Sequence, residues 1–92
     1  MALSTYNLKP QADATNRYTA SAAVDVNLSN PNRSHVDLVC WTLTTSDTAP
    51  AATPNLWNKV LPGESKAMTL QAGERLWLAC EAGTSPAAAL EA

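Results

Sequence analysis

The sequence predicts an all-β chain, a small antiparallel β-sandwich or jelly-roll-like domain with an extended N-terminal arm. Three observations carry that prediction. Apolar residues alternate with period two in four segments, no apolar recurrence of three and four residues persists through two helical turns, and Pro, Gly and Asn signals separate the segments at short intervals. The chain divides into an arm over residues 1–18, a sandwich over 19–82 and a tail over 83–92.

The first strand of the sandwich is expected over Thr19 to Leu28. Ala20, Ala22, Val24, Val26 and Leu28 share one face, and Ser21, Ala23, Asp25 and Asn27 share the other. Asn30-Pro31-Asn32 ends it, because proline donates no ladder hydrogen bond and Asn accepts turn dihedrals, so Ser29 to Ser34 is a connection. His35 to Thr45 is the strongest strand. It sets Val36, Leu38 and Cys40 against Val39, Trp41 and Leu43, and apolar residues on both faces mark a central strand covered twice, by a second sheet or by a subunit partner.

Ser46 to Asn55, with Pro50, Pro54 and three alanines, is a long crossing connection and a contact surface. Leu56 to Leu61 is short and mixed. Pro62-Gly63 stops it with a type II signature, in which Pro presets the first dihedral and Gly accepts the positive one. Lys66 to Leu70 alternates Met68 and Leu70 against Ala67 and Thr69. Gly73-Glu74 repeats the Gly63-Glu64 punctuation ten residues on, and Arg75 to Cys80 is the last strand, with Leu76, Leu78 and Cys80 opposed to Arg75, Trp77 and Ala79. The buried set expected from this pattern is Val24, Val26, Leu38, Leu43, Leu70, Leu76 and Leu78.

The ends differ from this middle. Met1 to Tyr18 is polar apart from Leu3, Tyr6 and Leu8 and is expected to order by lying along something else. Gly83 to Ala92 is Ala-rich, and either closes as one helical turn after Pro86 or trails.

A chain of 92 residues has room for one small domain. Of its apolar residues 17 are Ala, and Phe and Ile are absent, so the core is thin and oligomerisation is a direct remedy. Six basic residues against eight acidic give a net charge of −2, which provides neither a phosphate-neutralising surface nor a polybasic patch; no nucleic-acid or membrane partner is expected. Residues 1–10 lack the basic start and apolar run of a secretory signal, so the expected place of synthesis and assembly is a cytoplasm.

Catalysis finds few reagents here. The lone His35 shares a strand face with Asp37 but has no nucleophile motif beside it, and reads as an exposed edge residue. Asp25, Asp37, Asp47, Glu64, Glu74 and Glu81 are scattered and read as solvated turn and strand carboxylates. Cys40 and Cys80 lack metal-ligand spacing and read as free thiols packed as small hydrophobes; a disulfide between them requires adjacent strands and an oxidising compartment. No enzyme activity, cofactor or metal is expected. Trp41 and Trp77, each centred in an apolar strand, read as the heart of the core or of a subunit seam. Trp57 has two readings, a core plug beneath the Pro-rich loop or a partner-facing anchor. The candidate interface is Leu3, Tyr6 and Leu8 of the arm with Pro50, Pro54, Leu56 and Trp57 of the loop.

Residues 36–79 contain VDLVCWTLTTSDTAP, a variable Ala/Pro/Asn loop, and VLPGESKAMTLQAGERLWLA. This run resembles small structural proteins of tailed bacteriophage virions, in which a strand ending in Trp-x-Leu-Thr precedes an Asp-x-Ala-Pro loop and then Pro-Gly-Glu-Ser and Ala-Gly-Glu-Arg-Leu-Trp segments. The resemblance is one of strands and turns, not of active-site residues. It implies an all-β virion protein assembled in many copies, here a capsid decoration or cement protein that binds and stabilises the assembled head. Its partners are then itself, as a homo-oligomer such as a trimer, and the major capsid protein. A tail, baseplate or fibre-attached component is the alternative of the same class. A carbohydrate-binding module recognising host surface glycans is the alternative of another class.

Overall fold

Alternation and turn chemistry together produce eight strands over the residues that the computed structural model describes, 3–52 and 56–92. They are β1 (Leu3–Asn7), β2 (Asn16–Thr19), β3 (Val24–Ser29), β4 (Val39–Thr44), β5 (Asn58–Val60), β6 (Ser65–Leu70), β7 (Arg75–Ala79) and β8 (Ala87–Glu91), with one short 3-10 turn at Gln11–Asp13.

Each strand of the first half pairs antiparallel with its mirror in the second: β1 with β8, β2 with β7, β3 with β6 and β4 with β5. Two further antiparallel pairings, β3 with β8 and β4 with β7, join these into sheets of order β1-β8-β3-β6 and β2-β7-β4-β5. A long hairpin rolled on itself in this way is the eight-stranded jelly roll.

Three glycines at ten-residue intervals set the turns of the second half. Gly63, Gly73 and Gly83 have φ of 81°, 88° and 86°, each as third residue of a turn closed by Glu64 N–H to Leu61 O, Glu74 N–H to Gln71 O and Thr84 N–H to Glu81 O. That dihedral is the one a type II turn demands at this position and only Gly adopts cheaply. The first two turns are each clasped to the residue just beyond a strand end. Gly63 N–H donates to Asn30 O and Asn30 N–H to Glu64 O, while Gly73 N–H donates to Ala20 O and Ala20 N–H to Glu74 O. β6 therefore hangs between two equivalent clasps.

The core lies between the sheets and is built from Leu8, Ala20, Val26, Leu28, Val39, Val60, Leu70, Leu76, Leu78, Cys80, Ala88 and Leu90. A second cluster, Ala14, Cys40, Trp57, Trp77 and Ala79, covers the outer face of the β2-β7-β4-β5 sheet. β7 is thus covered on both faces, and so is β4 at Val39 and Cys40, where the second cover comes from the chain's own loops rather than from a subunit partner.

Several expected elements differ. The strand expected from His35 starts at Val39, because Ser34 to Asp37 closes a turn (Asp37 N–H to Ser34 O, 3.0 Å) and Asn30 Nδ2 takes the Asp37 carbonyl at 2.7 Å. Leu43 is 38% exposed rather than buried, since β5 pairs with β4 only from Val39 to Trp41 and leaves Leu43 at the rim. The N-terminal stretch is extended, as expected, and over residues 3–18 it lies along the chain's own sheets as β1 and most of β2. The tail neither coils nor trails. Ala88 and Leu90 point into the core, and β8 is a central strand between β1 and β3.

Candidate functional site

The residues expected at an interface separate into buried and exposed groups. Leu8 belongs to the main core, and Tyr6, half-buried, packs against it; burial there raises the Tyr6 phenol above its ordinary pKa. Trp57 is 6% exposed in the second cluster, and its Nε1–H donates to Ala51 O at 3.0 Å. Of its two readings the core plug holds, which removes it as a free anchor. Leu3, at 68%, and Leu56, at 41%, are exposed, and Pro50 is half-buried. Pro54 lies outside the described residues.

The loop carrying Trp57 is fastened to the sheet beneath it. Asp47 Oδ1 receives Arg75 Nε at 3.0 Å and Arg17 Nε at 3.2 Å. The hydrogen bond and charge of Arg75, with Arg17 adding to both, hold the Asp47 carboxyl below the usual carboxylate range. The Arg17 guanidinium lies 5.3 Å from the centre of the Trp77 ring, whose Nε1–H donates to Thr44 Oγ1 at 2.8 Å. Thr44 Oγ1 in turn donates to Ser46 O.

The thiols are free and buried. Cys40 is opposite Ala79 in register and shares the outer cluster with it, so Cys80, one residue on, points to the inner core. Opposite faces of one sheet exclude a bridge. Desolvation raises both thiols above their ordinary pKa, against weak bonds from Gln11 Nε2 to Cys40 Sγ and from Cys80 Sγ to Thr84 O.

Concavity appears at the open edge of the sandwich. β5 and β6 are edge strands of different sheets, joined by the Leu61–Glu64 turn. Between them lies a groove of about 540 Å³ lined by Trp41, Asn58, Lys59, Val60, Glu64, Ser65 and Lys66. The sequence places Trp41 and Trp77 as equivalents, but they occupy opposite faces of the sheet. Trp77 is 1% exposed in the outer cluster, whereas Trp41, on the inner face, is half-buried at the rim. Asn58 stands opposite Trp41 in register and supplies a small amide where an apolar residue would have sealed the core. Lys59 bonds to Glu81 at 2.6 Å, which raises its pKa, and Glu64 Oε1 accepts Leu61 N–H within its own turn. Among the described residues Trp41 Nε1 and the Ser65 and Lys66 side chains have no hydrogen-bond partner. No signal in the sequence marks this groove, because its residues come from β4, β5, the Leu61–Glu64 turn and the start of β6.

No protein-family profile, curated protein or solved structure matches the chain.

Proposed function

We propose that the chain is a virion structural protein of a tailed bacteriophage, a decoration or cement protein that seats on the assembled head. The observation that carries this reading is the strand order β1-β8-β3-β6 over β2-β7-β4-β5, the jelly roll used by viral capsid domains. The jelly roll hosts many functions, and the resemblance read from the segments of residues 36–79 points to the same setting. Several groups that carry side-chain chemistry are engaged in structure: Asp47 fastens a loop, Glu64 and Glu74 close turns, and both thiols pack in cores. Exposed Leu3, Val36, Leu43, Leu56 and Leu61 offer apolar contacts for its own copies and for the major capsid protein.

Sedimentation tests the reading. The chain should pellet with expanded heads assembled from its cognate major capsid protein, and raise the temperature at which they break. Heads that leave it in the supernatant overturn the head position, and whole virions that also lack it overturn the virion setting.

A further inference from the structure

We infer that the groove between β5 and β6 is a binding site for a saccharide bearing a carboxylate, with Trp41 as the surface on which a sugar ring lies. A virion setting is not required for it.

The argument starts from the three indoles. Trp57 and Trp77 spend their N–H groups on Ala51 O and Thr44 Oγ1, whereas Trp41 Nε1 has no partner among the described residues, and Trp41, half-buried on the inner face of β4, is a lining residue of the groove. A half-buried indole supplies a flat apolar face together with a donor at its edge. A sugar ring matches that combination, with C–H groups on its faces and hydroxyls around its rim.

Residues with every kind of hydrogen-bonding group line the groove around Trp41: Asn58 and Lys66, which share the inner face with it, and Glu64 and Ser65 where the turn enters β6. An apolar ligand would leave Lys66 without a partner, and a small inorganic anion would leave the indole unused. Charge then selects among sugars. Lys59 is neutralised by Glu81, and Glu64 turns one oxygen to Leu61 N–H, while Lys66 has no ion-pair partner among the described residues. A sugar carboxylate reaching Lys66 makes a charge-assisted bond that a hydroxyl does not. The site is preformed, since a clasped turn and β4 hold its walls.

The folded chain should be titrated with tetragalacturonate and with the uncharged tetra-N-acetylchitotetraose while backbone and indole N–H resonances are followed. The expected shifts fall on the Trp41 indole, Asn58, Ser65 and Lys66, with the acidic sugar binding about tenfold more tightly than the neutral one. Lys66→Ala should bring the two affinities together, and Asn58→Ala, also at an exposed position, should weaken both. Trp41→Phe keeps a ring while removing the N–H and should weaken both sugars without unfolding the chain. Shifts confined to other residues, or no shift with either sugar up to about 10 mM, overturn the site. Binding at the groove with an acidic preference unchanged by Lys66→Ala overturns the assignment of the carboxylate.

Discussion

Asn30 Nδ2 donates to the carbonyl of Val60 at 2.9 Å across 30 residues of chain. The same nitrogen donates to Asp37 O at 2.7 Å, and Asn30 Oδ1 accepts from the backbone and side chain of Asn32. Asn32 then exchanges bonds with both backbone groups of Ala87, at 2.7 and 3.1 Å. Two asparagines around one proline thereby tie the end of β3 to the approach to β4, the end of β5 and the start of β8.

Replacing Asn30 by Ala orphans two carbonyls at a site that is 1% exposed. The Val60 bond is buried and the Asp37 bond part-buried, and an orphaned buried group costs about 1–3 kcal/mol, so Asn30→Ala should lower stability by about 1–3 kcal/mol. The urea midpoint reads this directly, and a loss under about 0.5 kcal/mol would show that the network contributes nothing beyond a turn.

Trp57→Ala should act on folding rather than on assembly. Truncating a buried tryptophan costs about 3–5 kcal/mol, whereas Leu56→Ala beside it, at an exposed position, should stay within about 0.5 kcal/mol. Thermal unfolding of the two variants separates a core plug from a surface anchor, and equal, small effects would contradict the burial of Trp57.

Much of the inner core is legible because branched and Leu side chains alternate in β3, β6 and β7, and because Pro62-Gly63 and Ala72-Gly73 state their turns. β8 is not, since alanine favours helices and buries little area; only its place between β1 and β3 makes Ala88 a core residue. The Glu81–Thr84 turn carries the same Ala-Gly pair as Gln71–Glu74 but lacks the Glu that follows Gly63 and Gly73, so the repeat is broken there. The 3.2 Å contact of Arg17 with Asp47 and the seating of Trp41 at a rim depend on tertiary register, which no local pattern encodes.

Asp47 should make stability fall in acid. Its folded pKa is lowered by Arg75 and Arg17, so its contribution is present above the usual carboxylate range and is lost as pH drops through the folded value. The difference in urea midpoint between the parent and Asp47→Asn should be positive near neutrality, vanish in acid and shrink with added salt. A difference that does not change with pH would contradict the clasp.

Both thiols should resist modification in the folded protein, because burial disfavours the thiolate. Unfolding without reductant should release two reactive groups. Recovery of none would mean a disulfide, and with it a different register of β4 on β7.

The closing of the roll by its own two ends is tested most directly by cross-strand NMR contacts at Leu90, which faces Ser4 of β1 on one side and Leu28 of β3 on the other. Backbone NOEs from Leu90 to both residues, with slow amide exchange in β8, are the predicted result. Residues 86–92 with random-coil shifts, fast exchange and no contact to either strand would contradict the jelly roll and the functional reading built on it.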